Sequence, residues 1–275
     1  MFEESSDLAR TESLFTIVTP TRDLARFQEA SRFWANSMRD VAFDFRPIIN
    51  PPNLPQVYNE ILTHITTPYV VFAHDDCFPL QVDGYTIGKR LAEHMEAVDV
   101  AGFVGSSHLT TGSWMGAGWG RLYGSITTPL LTATEHKMLA SIYGIPAKRV
   151  VGMRTIDGMC IVMKTAVAKG IGFDPTFAFH FYDLDICSSA FDQALRTAVL
   201  CDIHMTHLSP GKFDHAWNVS RGQFEKKWAG KCDLHDTSLG GQFHVVDAAH
   251  NSSMLLRLNE ITKFVPEEVV VRTLD

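Results

Sequence analysis

The sequence predicts an α/β protein with a mixed, mainly parallel sheet flanked by helices. Three observations lead there. Short apolar runs alternate with helix-periodic segments through the first 105 residues. The run Tyr69-Val70-Val71-Phe72-Ala73 is continuously apolar, as an inner parallel strand buried on both faces must be. Apolar residues make up 45% of 275, with a net charge of only −7, which excludes general disorder and is ordinary for a soluble globular chain.

Each element follows from its pattern. Residues 14–18 read as a short buried strand, ending in a turn at Thr19-Pro20-Thr21-Arg22-Asp23. Leu24, Phe27, Trp34 and Met38 then recur near the helical period. A second strand spans 43–49, and Pro55 is placed to open a helix whose apolar face holds Val57, Tyr58, Ile61, Leu62 and Ile65. After the 69–73 strand, Ile87, Leu91, Met95 and Val98 mark a helix, and 100–104 a strand. Residues 105–149 are rich in glycine and weak in periodicity, which predicts a loop-rich insertion of the kind that is usually functional. Regular structure returns with a strand at 159–163, a helix from about Asp183, and a strand at 198–205. The remainder reads as loops and helices, with Met254, Leu255, Leu258 and Ile261 as one apolar stripe. No linker divides the chain, so 1–275 is expected to be one domain. Residues 1–12 form its flexible N-terminus, and about 212–275 a C-terminal loop and helical extension.

Composition narrows the function classes. A mildly acidic chain lacks the basic footprint of a nucleic-acid binder. The start of the chain has no signal-peptide pattern, and no apolar stretch is long enough for an integral membrane segment. Cys77, Cys160, Cys187, Cys201 and Cys232 are scattered without a CxxC pair, which suits small buried hydrophobes in a reducing, cytoplasmic setting. Nothing in the sequence decides between a monomer and a homodimer.

Three constellations carry chemistry. First, the apolar strand 69–73 delivers His74-Asp75-Asp76 to its carboxyl end, where open α/β sheets bind ligands. Adjacent carboxylates facing a hard divalent ion with a diphosphate would be satisfied, although a solvated turn or a helix cap explains them equally well. Second, Asp183 and Asp185 begin the clearest helix. The macrodipole accounts for one carboxylate there, whereas the crowding of His180, Phe181 and Tyr182 suits a general base in an apolar surround. Third, His204 and His207 lie at a strand end before Ser209-Pro210-Gly211-Lys212, and strand alternation allows only one of the two to face a site. Trp114 and Trp119 on a glycine loop either stack on a sugar or pack inward as anchors.

In this order the motifs resemble the family 2 glycosyltransferases of the glycosyltransferase A fold, over Leu14 to Lys212. Phe15-Thr16-Ile17-Val18 with Thr19, Pro20, Thr21 and Arg22 is similar to that family's first strand and nucleotide-contacting turn. Leu54 to Ile61 resembles the helix that carries an asparagine, here Asn59. His74-Asp75-Asp76 takes the place of the DxD motif, in a His-Asp-Asp variant with Asp76 matching the second aspartate. Asp157-Gly158 resembles the start of the strand under the acceptor, and Tyr182-Asp183-Leu184-Asp185 the stretch that holds the catalytic base. No acidic uracil reader follows the second strand, where Asn50 stands instead.

The resemblance implies an inverting transfer of a sugar from a nucleotide-diphosphate donor, UDP-sugar favoured, to a saccharide or other hydroxyl acceptor. Asp183 would be the base. Asp76, His207 and Asp75 would hold Mn2+ or Mg2+. Thr19, Pro20, Thr21, Arg22, Asn50, Asn59, His74, Asp75 and a mobile Lys212 would contact the donor. Trp114, Trp119, Asp157, Gly158, His180, Tyr182 and Asp185 would line the acceptor side. Three alternatives stay open at this point: a metal-dependent phosphoester hydrolase, a nucleotidyltransferase, and a non-catalytic sugar-nucleotide binder.

Overall fold

The computed structural model describes residues 12–110, 112–130, 137–209, 211, 213–232, 242–247 and 251–271. The chain opens with β1 (Phe15–Thr21), α1 (Leu24–Ser37), β2 (Phe43–Ile49), α2 (Leu54–Leu62) and β3 (Tyr69–Ala73), followed by the short β4 (Cys77–Pro79), α3 (Gly88–Ala97) and β5 (Val100–Gly102). Next come β6 (Val104–Ser106), a 3-10 turn (Trp114–Ala117), β7 (Leu122–Pro129), β8 (Lys137–Ile142), β9 (Arg149–Val151), β10 (Thr155–Ile156) and β11 (Cys160–Lys164). The rest is α4 (Thr165–Ile171), α5 (Tyr182–Asp192), β12 (Thr197–Leu200), β13 (Met205–His207), α6 (His215–Lys227), β14 (Gln242–Asp247), α7 (Asn251–Thr262) and β15 (Glu268–Val270).

Among the described residues the larger sheet has eight strands in the order β15-β9-β12-β5-β11-β3-β1-β2. β2, β1, β3, β5 and β12 run in one direction, with β11 inserted antiparallel between β3 and β5. β9 and β15 run opposite to β12. The protein is therefore α/β with a mixed, mainly parallel sheet flanked by helices. Two apolar clusters cover its faces, one around Phe15, Trp34, Leu91 and Phe103, the other around Tyr58, Phe72, Phe177 and Phe224. The first two helix starts have local causes: Asp23 caps α1 through the Ala25 N–H, and Asn53 caps α2 through the Gln56 N–H with Pro55 behind it. No helix among these residues is long and apolar enough to cross a membrane.

Four sequence expectations change. The first strand does not stop at Val18, and Thr19, Pro20 and Thr21 continue it, paired with Pro47, Ile48 and Ile49. Beyond Val18 the strand has only β2 beside it, which leaves room for a residue without an N–H. Residues 105–149 are more than loop: they supply β7, β8 and part of β6, three strands of a second, seven-stranded sheet. Its glycines mark close backbone approach rather than looseness. A Cβ on Gly124 would lie 2.0 Å from the Phe103 carbonyl oxygen, and one on Gly105 2.3 Å from that of Thr155. The predicted strand 198–205 is two strands, β12 in the larger sheet and β13 in the smaller, with the chain crossing between them at 201–204. Finally, the C-terminal part holds strands as well as helices: β14 pairs with β8, and β15 extends the larger sheet beside β9.

Candidate active site

The topology gathers the three constellations at one end of the larger sheet. β3 ends at Ala73 and delivers His74, Asp75 and Asp76. Because β11 is antiparallel to β3, the residues before it lie at that same end, and the His74 N–H donates to the Met159 carbonyl (2.9 Å). Asp157 and Gly158 are thereby fixed beside His74. β13 is antiparallel to β4, with His207 opposite Cys77, and the Leu208 N–H donates to the Asp76 carbonyl (2.9 Å). This register sets the His207 ring against the Asp76 side chain. From below, the Trp34 indole N–H donates to the Cys77 carbonyl (3.0 Å), tying the acidic turn to α1.

His74, Asp76 and His207 offer ligand atoms that all lie within 4.8 Å of one another. The His207 Nε2 is 3.4 Å from Asp76 Oδ1, yet it is buried and makes no hydrogen bond. A buried polar atom without a partner is costly unless something else satisfies it. Burial pushes His207 towards its neutral form, and the facing Asp76 carboxylate more than reverses this, so its pKa is raised. Burial likewise pushes Asp76 up, but His207, His74 and Arg26 together hold it below the usual carboxylate range. His74 is shifted down by burial and by His207. Its Nε2 lies 3.1 Å from the Tyr182 hydroxyl, which donates to the Gly158 carbonyl (2.9 Å). That hydroxyl has one proton, so His74 must carry its own on Nε2, leaving the Nδ1 lone pair free as a ligand. Two imidazoles and a carboxylate suit a divalent ion such as Mn2+, and the unpartnered His207 nitrogen fits the same occupant.

Asp183 stands in the first turn of α5, where the helix dipole favours an anion. Its Oδ2 accepts from the Gly158 N–H (2.8 Å). Burial, and then the nearby Asp157 carboxylate, raise its pKa to about 7 despite the Leu184 and Gly158 N–H groups, which pull the other way. Asp157 is itself positioned: its Oδ2 accepts from the Trp114 indole (2.6 Å) and its Oδ1 from the Met159 N–H (2.9 Å). The residue before the helix, Phe181, has φ +68°, a left-handed conformation rare for a bulky side chain. Its ring packs on Trp217 and Phe224 of α6, with centroids 5.3 and 5.1 Å away.

The other sequence candidates fall into groups. Thr21 Oγ1 donates to Asp75 Oδ2 (2.7 Å), joining the ends of β1 and β3. Thr19 is buried with an unpartnered hydroxyl, Pro20 is half-buried and Arg22 exposed. Asn50 is exposed with φ +46°, its N–H bonded to the Thr21 carbonyl. Both ends of the Asn59 amide are taken up by the Phe173 backbone (2.8 Å each), so its contacts tie α2 to the segment after α4. The Asp185 carboxylate is turned to α6, bonded to Lys227 (2.9 Å) and the Trp228 indole (2.9 Å). The two tryptophans part company: Trp114 is buried on Asp157, whereas Trp119 is 66% exposed. His180 is half-buried, 3.8 Å from Asp214. His204 faces away from the cluster and bonds Thr127 (2.7 Å) and Ser125 (2.9 Å) within the second sheet. Lys212 lies outside the described residues. Sequence reasoning missed Arg26, whose guanidinium reaches both Asp75 and Asp76. Its only sequence signal is its place in the first turn after β1.

No family model matches the sequence, and no curated protein matches it. Solved structures give distant likenesses. S. aureus TarS aligns over 91% of this chain and 44% of its own length, at 14% identity and TM-score 0.46. The mannosyltransferase PcManGT of Pyrobaculum calidifontis, solved with GDP-Man and Mn2+, aligns over 91% of this chain and 70% of its own, at 13% identity and TM-score 0.42. A Drosophila galactosyltransferase 7 mutant, solved with manganese, UDP-Gal and xylobiose, aligns over 83% of each chain at 11% identity and TM-score 0.45. This chain thus spans less than half of TarS.

Proposed function

We propose that the chain is a metal-dependent glycosyltransferase of the glycosyltransferase A type, moving a sugar from a nucleotide-diphosphate donor to an acceptor hydroxyl with inversion. What supports this is the convergence of His74, Asp76 and His207 with Asp183 at the carboxyl end of β3, in the order the motifs have in that family. Asp183 takes the acceptor proton. A base held near pKa 7 is matched to neutral pH, and such a base contributes about 10²–10⁴-fold. Burial, and then Asp157, keep that pKa high, and the Gly158 N–H and the helix start fix the carboxylate's direction. Asp76, His74 and His207 would hold Mn2+ or Mg2+, whose bound charge would stabilise the departing diphosphate. A single displacement on the face served by Asp183 inverts the anomeric centre. Thr21 and Asp75 stand where a ribose or diphosphate enters from β1, with a UDP-sugar the favoured donor. Exposed Trp119 offers a face for a saccharide acceptor.

The test is calorimetric binding of UDP and GDP with and without manganese, for the wild type and Asp76→Ala. Binding that needs both manganese and Asp76 is expected, followed by transfer from the matching sugar nucleotide. No nucleotide binding under any condition would sink the assignment. Phosphate release from phosphoesters without an acceptor would mark a hydrolase instead.

A further inference from the structure

We propose that Arg26 competes with the divalent cation for Asp75 and Asp76 and, once displaced, binds the donor's diphosphate. This rests on the metal–diphosphate reading of the site. The Arg26 Nη2 lies 3.3 Å from Asp75 Oδ1 and 3.2 Å from Asp76 Oδ2, bridging the two carboxylates with a single nitrogen. The forked, bidentate grip that makes an arginine–carboxylate pair strong is not used. None of its other donors bonds to another described residue. The partners differ in mobility. Asp76 is buried, and Asp75 is held by Thr21, whereas the Arg26 side chain is 52% exposed at the start of α1. The pair is lopsided, a half-exposed guanidinium against carboxylates only 14% and 10% exposed, so the arginine is the partner that solvent and salt screen.

A guanidinium and a divalent ion cannot both sit against Asp76 without repulsion. The exposed, flexible partner is the one that moves. Released, it swings on a fixed Cα beside the acidic turn, and its planar fork matches phosphate oxygens better than any carboxylate arrangement it leaves. Arg26 thus neutralises the acidic turn in the free protein and becomes a diphosphate ligand in the loaded one.

The experiment measures manganese affinity by electron paramagnetic resonance of the free ion, without nucleotide. It then measures UDP and GDP affinity by calorimetry at saturating manganese. Wild type, Arg26→Gln and Arg26→Lys are compared, with melting curves to show that each folds. Arg26→Gln should bind manganese about threefold more tightly, because an exposed competitor is gone. It should bind the nucleoside diphosphate about tenfold more weakly, because a charge-assisted contact is lost. Arg26→Lys should lie between on both counts. Opposite signs are the signature, since a merely structural role would weaken both affinities together. Unchanged or weaker manganese binding by Arg26→Gln, with wild type still binding manganese and nucleotide, overturns the inference and leaves the functional reading standing. No binding of either ligand by wild type or variant overturns both.

Discussion

Asp183→Asn should make the protein more stable at alkaline pH, by a margin that shrinks as pH falls and closes only below about pH 4. In the native state the Asp183 carboxyl is held at about 7 by burial and by Asp157, against an ordinary value of 3.8. Between those two values the native state keeps a proton that the unfolded chain has released. Unfolding free energy therefore falls as pH rises through this window. The favourable balance is fully present below the unfolded value and lost once pH passes about 7. A gap of roughly three units corresponds to on the order of 4 kcal/mol, an upper figure for a half-buried group. Asparagine carries no charge at any of these pH values, and its Oδ1 still accepts from the Gly158 N–H. For a chain of this size about 2 °C of melting temperature accompanies each kcal/mol, so the variant should melt up to about 8 °C higher at pH 8. Thermal melting by circular dichroism at pH 5 and pH 8 reads this directly. An offset that is the same at both pH values, or a variant less stable at pH 8, would refute the reasoning. In the same proteins, wild-type turnover should rise with pH through about 7, and the variant should lose about 10²–10⁴-fold.

Other expectations separate the site from its supports. A Cβ on Gly158 would lie 2.8–2.9 Å from Asp183 Cβ, Cγ and Oδ2, so Gly158→Ala should displace the carboxylate and cut turnover about a hundredfold while manganese binding holds. Loss of manganese binding would show that the clash spreads to His74. His204→Ala should cost about 3 kcal/mol in urea unfolding, because it opens a cavity and strands the Ser125 and Thr127 hydroxyls. It should leave manganese affinity unchanged, unlike His207→Ala. Asp185→Ala should destabilise by about 1–3 kcal/mol through the stranded Trp228 indole N–H, with nucleotide affinity intact if Asp185 only joins α5 to α6. A selective loss of acceptor affinity would return Asp185 to the acceptor side.

Much of this architecture was legible because it rests on local rules. The 69–73 run has to be an inner strand, Asp183 and Asp185 fall where a helix favours carboxylates, and Pro55 opens α2 as its fixed φ requires. Strand alternation also separated His207 from His204. The misses share a different cause. Glycines at 105 and 124 look like loop residues in one dimension, yet they are needed because two backbones touch there, a fact that belongs to the partner strand. Nor can one sequence show that Asn59 is spent on Phe173, that Asp185 faces Lys227, or that Trp114 holds Asp157. Each depends on a residue tens of positions away. Arg26 was invisible for the same reason: on the helix it is an ordinary exposed arginine, and only the fold brings two aspartates to it.

Phe181 carries two demands that no one side chain meets together. Its backbone calls for a residue that tolerates φ +68°, which favours glycine, while the space between Trp217 and Phe224 calls for a large aromatic ring. Glycine would relieve the first and vacate the second. Of the twenty amino acids, the position has settled on one that fully satisfies only one of its two requirements. The left-handed bend survives because α6 holds it from outside, so the aim of Asp183 two residues on is set in part by a helix that never reaches the acidic turn. For anyone redesigning this protein, residues 217 and 224 belong with the site although they touch none of its chemistry.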